Sequence, residues 1–204
     1  MPLVITEITL FRHPQTDWNE EGRYQSKSDR PITQSGTHSC LRLVQAHKEF
    51  DFDLIISSEQ SHAVFLAQSL ASTIKLNEGI QKDARWAEVN HGKWEGLTYE
   101  QVRKAYPDEA RKRFGDTWEY KLHQGECLKQ VWGRISEAWD SILFKYSGKK
   151  IAVVTHKTPI QLFLCKAQKL TPDNHWQFEV DNCSSTRITY DSKEFTVTHQ
   201  NKTY

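Results

Sequence analysis

The sequence predicts an α/β fold with a mostly parallel central sheet, and three observations support this prediction. Short apolar, β-branched segments alternate with longer segments whose apolar residues have helical spacing. The run 151–155 has the composition of a strand that is buried on both faces. Charged or hydroxyl side chains follow the ends of the apolar segments, where an open parallel sheet binds its ligands. A length of 204 residues suits one substantial core, so we expect a single domain over 1–204.

Strand and helix signals alternate in the first third of the chain. The predicted elements are a strand over 4–11, a helix over 33–50, a strand over 53–57 and a helix that starts at 58 or 59 and ends at 74. A polar loop over 19–31 separates the first strand from the first helix. The first strand therefore ends directly before Arg12 and His13.

The stretch 77–125 is the least regular part of the sequence, because it mixes aromatic, charged and glycine residues. We interpret it as a small capping insertion over the pocket, with short helices near 98–105 and 107–114. The elements predicted after it are a long helix over 126–146, the strand 151–155, a helix over 159–168 and two closing strands near 185–190 and 195–199. The strand 151–155 ends directly before His156.

Composition argues against several classes of partner. A hydrophobic content of 37% and a net charge of +1 lack the basic excess that binding to nucleic acid usually needs. No apolar run approaches the roughly 20 residues that span a bilayer, so we expect no membrane association and a cytoplasmic location. The cysteines have no C-x-x-C spacing, which favours reduced, structural thiols over a zinc site; they are Cys40, Cys127, Cys165 and Cys183.

Two histidines at strand ends indicate phosphoryl chemistry. A neutral imidazole that is held in one orientation can attack a phosphomonoester, and His13 is the natural candidate. Arg12, immediately before it, offers the planar fork that grips phosphate oxygens, and His156 can donate to the same oxygens. The leaving alkoxide then needs a proton, which Glu88 can carry if burial near Trp86 and Trp94 raises its pKa.

The run that begins at Arg12-His13 also carries a specific family signature over about 25 residues. Its matching positions are Thr16, Trp18-Asn19, Gly22-Arg23, Gln25, Asp29, Pro31-Ile32-Thr33 and Gly36, and later matches are 53–58 with Ala63 and Ala67, Glu88, Gly92 with Trp94-Glu95-Gly96, Gly125-Glu126, 153–156 and 182–186. On these residues the chain resembles the histidine phosphatase superfamily, in its phosphoglycerate-mutase-like branch. The resemblance implies a three-layer α/β/α sandwich, a phosphohistidine on His13, and a phosphate pocket that includes Arg12, Asn19 and His156. It further implies Glu88 as proton donor, a small phosphorylated metabolite as substrate, and no metal or organic cofactor.

Three pocket positions depart from the family pattern. His62 stands where the family has an arginine, and it replaces that cation only when its ring is protonated. Glycine commonly follows both pocket histidines in the family, but here Pro14 follows His13 and Lys157 follows His156. We therefore expect Arg12, Asn19, His62 and Lys157 to bind the substrate. The other histidines lack ligand spacing and are expected to be structural or to face solvent; they include His38, His47, His91 and His175.

The leading hypothesis is a phosphatase that hydrolyses a small phosphomonoester through His13, with activity that the altered pocket reduces or changes. The Gly-x-Trp-Glu-Gly pattern over 92–96 resembles that of phosphatase members of the superfamily, and this resemblance favours hydrolysis. Two phosphate-handling alternatives stay open, namely a phospho-ligand-binding pseudoenzyme and a phosphoglycerate-mutase-like phosphotransferase. A third alternative is another reaction of the altered pocket on a non-phosphate substrate. The sequence also leaves open whether the chain forms a homodimer.

Overall fold

The structure, a computed structural model, describes residues 4–74, 76 and 79–204. Within them, six strands form one sheet in the order β3-β2-β4-β1-β5-β6. The strands are β1 (Thr6–Arg12), β2 (Leu54–Ser57), β3 (Ile80–Lys82), β4 (Lys150–Thr155), β5 (Ser185–Tyr190) and β6 (Phe195–Lys202). The first four strands in this order run parallel, whereas β5 and β6 pair antiparallel. The prediction of an α/β fold with a mostly parallel sheet is confirmed.

Helices cover both faces of this sheet. The helices of the described residues are α1 (Asp17–Glu20), α2 (Gln34–Ala46), α3 (Ser61–Ala71), α4 (Tyr99–Ala105), α5 (Pro107–Gly115), α6 (Leu128–Lys145) and α7 (Lys157–Ala167). Those that pack on the sheet are α2, α3, α6 and α7. Alternate residues of β4 point to opposite faces, as the strand period requires. Val153 packs in a core with α6 and α7, and Val154 packs in a second core with α2 and α3. The result is the three-layer arrangement that the family resemblance implied.

The register of the parallel strands aligns their carboxyl ends. Arg12 at the end of β1 lies opposite Thr155 at the end of β4, and Ser57 at the end of β2 lies opposite Val154. The backbone N–H of His13 donates to the Thr155 carbonyl at 3.1 Å. The segments that follow these three strands therefore meet at one edge of the sheet.

The region after β3 forms a lobe with its own small core over that edge. Trp94, Val102, Ala110 and Leu122 are buried together, with Tyr24 packed against them. The helices α4 and α5 lie where the sequence predicted short helices. The strand β3 was not predicted; it lies inside the stretch 77–125, and its three residues are exposed and give no apolar alternation.

Two further expectations concern the whole chain. All four cysteines are buried and free, as expected for structural thiols. Among the helices of the described residues, none has the length and apolar character needed to cross a bilayer.

Candidate active site

Three buried histidines meet at the carboxyl edge of the sheet. The ring centroid of His13 lies 4.3 Å from that of His62 and 5.0 Å from that of His156, and the last two are 5.3 Å apart. Each of the three side chains is at most 4% exposed. His13 follows β1, His156 follows β4, and His62 is the second residue of α3 after β2. The sequence predicted all three for the pocket, and the fold brings them together.

The ring of His13 is held in one tautomer by the residue beside it. Its Nδ1 donates to the carbonyl of Pro14 at 2.7 Å, which leaves the lone pair on Nε2. Burial, and then the neighbouring imidazoles of His62 and His156, hold the pKa of His13 well below its usual value. The ring is therefore neutral at pH 7. Pro14 provides the carbonyl that orients the ring and does not turn it away from the other strand ends.

His156 is oriented by the segment that follows β2. Its Nε2 lies 2.8 Å from Ser58 Oγ and 3.1 Å from Gln60 Oε1. Because an amide oxygen only accepts, Nε2 carries the proton and Nδ1 keeps the lone pair. Burial, with the nearby His62 and Arg12, holds the pKa of His156 well below its usual value, so this ring is neutral as well.

His62 is a neutral donor in the free protein rather than a cation. Burial lowers the pKa of His62 to about 4, although the charge of Asp29 opposes the shift. Its Nδ1 lies 3.5 Å from the Nε2 of Gln25, and its own Nε2 is buried with no hydrogen-bond partner. The protonated ring expected from the sequence would therefore need the charge of a bound phosphate. Without that charge, His62 can offer a single N–H.

Arg12 supplies the fixed positive charge of the pocket. Its Nη1 donates to the Val180 carbonyl at 2.7 Å, while its buried Nε has no partner. Burial lowers the pKa of Arg12, and the charges of Glu88 and Asp181 act in the opposite direction. A guanidinium keeps its charge in such surroundings, so its remaining donors are available to an anion.

Asn19 and Lys157 lie at the wall of the same cavity. The Asn19 Oδ1 accepts from the backbone N–H of Thr16 at 3.2 Å and from the Nδ2 of Asn182 at 3.2 Å. The Asn19 side chain therefore has two roles, because it holds the loop after His13 in place and also lines the cavity. Lys157 is the exposed first residue of α7, where its ammonium adds a second charge near the mouth.

Glu88 lines the same cavity beside the start of α7. Its Oε1 accepts from the backbone N–H of Val89 at 2.7 Å, and its Oε2 accepts from that of Thr158 at 3.3 Å, in the first turn of α7. Arg134 holds the Glu88 segment from α6, because it donates to the carbonyls of Ala87 at 2.6 Å and Glu88 at 3.0 Å. Trp86 and Trp94 are buried in two separate cores and do not line this cavity.

The cavity has a volume of about 600 Å³ and contains every predicted site residue, from Arg12 to Lys157. It also has a rim that sequence reasoning missed, formed by Tyr24, His91, Tyr99, Phe114, His175 and Trp176. His91 and His175, which were expected to be structural or to face solvent, both line this cavity. His91 directly precedes the Gly92–Trp94 turn, and this position beside a family motif could have indicated that His91 lies near the site. Trp176 lies in a short 3-10 segment whose sequence has no helical or strand periodicity to indicate its place.

An α/β sheet that gathers three histidines and an arginine at its strand ends suits a phosphate-handling enzyme. The model of the histidine phosphatase superfamily (branch 1) matches residues 8–203, and the chain belongs to this superfamily. The chain is similar to phosphoserine phosphatase 1 from Hydrogenobacter thermophilus, with 26% identity over 180 residues, which cover 88% of this chain and 84% of the relative. It is also similar to "Probable phosphoglycerate mutase GpmB" from Escherichia fergusonii, with 25% identity over 93% of this chain and 87% of the relative. Among solved structures, YhfR from Bacillus stearothermophilus matches with a TM-score of 0.88 and 26% identity over 97% of each chain.

Proposed function

We propose that the protein is a phosphatase that hydrolyses a small phosphomonoester through a phosphohistidine on His13. One observation carries this proposal: the His13 ring is neutral, and the Pro14 carbonyl fixes it so that Nε2 keeps its lone pair inside a cluster of donors. Such an imidazole is ready to act as a nucleophile, because a protonated ring has no lone pair to give.

In the first step, His13 Nε2 attacks phosphorus and the ester P–O bond breaks. Glu88, in its protonated form, gives its proton to the leaving alkoxide. Arg12 and the N–H of His62 stabilise the charge on the phosphoryl oxygens. His156 contributes once its Nδ1 takes up a proton, which the negative charge of the phosphate favours.

In the second step, water attacks the phosphorus of phosphohistidine. The Glu88 carboxylate accepts a proton from that water, the P–N bond breaks, and phosphate leaves. Both steps use the same carboxylate in opposite protonation states. The hydrogen bonds from Val89 and Thr158 keep it facing the cavity throughout.

The rim and the volume of the cavity indicate the size of the substrate. Trp176 is 74% exposed and Phe114 is 49% exposed, and both line the mouth above the phosphate pocket. A small phosphorylated metabolite fits a cavity of about 600 Å³. One curated relative is named a phosphoserine phosphatase, so phosphoserine is one substrate to test beside sugar, acid and aryl phosphates.

The first prediction is that His13→Ala abolishes turnover. With the nucleophile removed, hydrolysis of p-nitrophenyl phosphate should fall by at least about a thousandfold. Acid-labile phosphate should form on the unmodified chain during turnover and be missing from the variant. His38→Ala, at an exposed position on α2, is the matched control and should retain the activity. Unchanged turnover in His13→Ala would overturn the proposal.

The same preparation separates the two alternatives. Saturable binding of phosphate esters without turnover would indicate a pseudoenzyme. Conversion of 3-phosphoglycerate to 2-phosphoglycerate without release of phosphate would indicate a phosphotransferase. A cytoplasmic location stays a prediction, which cell fractionation tests. Whether the chain forms a homodimer stays open, and sedimentation is the measurement.

A further inference from the structure

We propose that His13, His62 and His156 form a three-histidine site for Zn²⁺, and that the bound ion blocks phosphorylation of His13. One ring nitrogen from each residue lies within 4.8 Å of the other two. Zn–N bonds of about 2.0–2.1 Å in a tetrahedral site place the nitrogens about 3.4 Å apart. Small side-chain rotations bring the three rings to that distance, because their centroids are already 4.3–5.3 Å apart.

The unpartnered nitrogen of His62 is an independent indication of a ligand. His62 is 1% exposed, and its Nε2 has no hydrogen-bond partner. A buried polar atom without a partner destabilises the folded protein. In the free protein the other nitrogen accepts weakly from Gln25 at 3.5 Å. Moving the proton to that nitrogen gives Nε2 the lone pair that a metal needs. The new N–H then faces the amide nitrogen of Gln25, which is also a donor, so the Gln25 side chain has to shift.

The other two rings already have the arrangement of metal ligands. A ligating histidine usually donates its second N–H to a carbonyl or carboxylate, which fixes its tautomer. His13 donates in this way to Pro14, and His156 donates to Gln60. The nitrogens left with lone pairs are His13 Nε2 and His156 Nδ1. Each ring therefore has one nitrogen held by the protein and one available to an ion.

The surroundings suit a three-ligand site with an open position. Three imidazoles and one water form a common zinc arrangement, and the cavity leaves room for the water. Glu88 lines the same cavity, and its negative charge offsets the positive charges of Arg12 and Lys157 there. Among the described residues, this is the one set of three metal-ligating side chains that meets these distances.

The inhibitory consequence rests on the proposed function, because it assumes that His13 Nε2 is the nucleophile. Zn²⁺ bound there takes the electron pair that would attack phosphorus. The ion and the phosphoryl group therefore exclude each other at His13. Metal binding itself does not depend on turnover, so Zn²⁺ binding and phosphatase activity are measured separately.

The binding test uses the full chain, freed of metal with a chelator and then desalted. Titration with Zn²⁺ by calorimetry should give one ion per chain. His62→Asn should weaken that binding at least tenfold, whereas His38→Asn, the same change at an exposed histidine, should leave it unchanged. Equal affinity in all three proteins, or no binding at one ion per chain, would overturn the site.

A second measurement needs no variant and covers the case in which His62→Asn does not fold. With ¹⁵N-labelled histidine, Zn²⁺ should shift the ring nitrogens of three of the nine histidines. Shifts at exposed histidines only would overturn the proposal. Zn²⁺ at one equivalent should also inhibit p-nitrophenyl phosphate turnover, and a chelator should restore it. Tight binding without inhibition would retain the metal site and discard the block on His13.

Discussion

His13 depends on neighbouring uncharged groups for its reactivity. Catalytic histidines are often activated by a carboxylate on the second nitrogen, but here a backbone carbonyl, that of Pro14, has this position. A carbonyl orients the ring without raising its pKa as strongly as a charged partner would. Together with burial beside His62 and His156, this keeps the ring neutral over a wide range of pH. Proline after the histidine, one of the three departures from the family pattern, is therefore compatible with the nucleophile.

Glu88 provides the second prediction, at the scale of one residue. Glu88→Gln removes the acid that protonates the leaving group but keeps a side chain of similar size. We expect a loss of about 10²–10⁴-fold with alkyl phosphates, which is the usual contribution of general acid catalysis. The loss in the phosphorylation step should be far smaller with p-nitrophenyl phosphate, because p-nitrophenolate leaves without a proton.

The measurement is the rate of the first turnover by rapid quench, for both ester classes, in Glu88→Gln and the unmodified chain. Glu49→Gln serves as the control, since Glu49 is an exposed carboxylate outside the active-site cavity. Equal losses for both classes of ester would contradict a role in protonating the leaving group. In that case Glu88 would only shape the cavity.

At the scale of elements, one carboxylate ties the lobe to the loop after α1. Glu95 Oε1 accepts from the backbone N–H groups of Ser26, Lys27 and Ser28, at 3.2, 3.0 and 2.8 Å. These donors converge on one oxygen and so fix the loop beside Tyr24 and Gln25. The Gly96 N–H also donates to the Tyr24 carbonyl at 2.8 Å. This part of the cavity wall is therefore formed by two segments, around Tyr24 and around Glu95, that lie outside the α-helices and strands and hold each other in place.

The third prediction follows from this contact. Glu95→Ala leaves the three N–H groups without their acceptor, and we expect the free energy of unfolding to fall by about 1–3 kcal/mol. Glu95→Gln keeps an oxygen acceptor and should lose less. Urea unfolding is the measurement, with Glu49→Ala at an exposed site as control. An equal effect for Glu95→Ala and Glu49→Ala would show that the contact does not stabilise the fold.

Elements with strong periodic patterns were predictable, and elements held by tertiary contacts were not. The β-branched run that became Lys150–Thr155 and the apolar face of Leu128–Lys145 carry their own signals. Ile80–Lys82 is a strand only because β2 offers it a free edge. The same distinction applies to the residues of the active site. His13 and His156 follow predictable strands, whereas the roles of His91 and Trp176 depend on how the lobe and a 3-10 segment pack.

At the scale of the whole molecule, the buried histidines couple folding to pH. Burial disfavours the charged form of each ring and so lowers its pKa. The pKa values of His13 and His156 lie well below 6.5, that of His62 is about 4 and that of His91 is about 3. In the unfolded chain each takes up a proton near pH 6.5. Below that pH the unfolded state binds more protons than the folded state, so the stability falls as the pH falls. For His62 this window extends from about 6.5 down to about 4.

The fourth prediction is therefore a loss of stability between pH 7 and pH 5, before most carboxylates titrate. Each buried histidine contributes a slope of up to about 1.4 kcal/mol per pH unit. Urea unfolding at pH 7.5, 6.5 and 5.5, with chelator present, should show the combined slope. His62→Gln removes one titrating ring and should reduce that slope by its share, while His38→Gln should not. A flat stability over this range would mean that the rings take up protons at the same pH in the folded and the unfolded chain, which would contradict their burial in the neutral form.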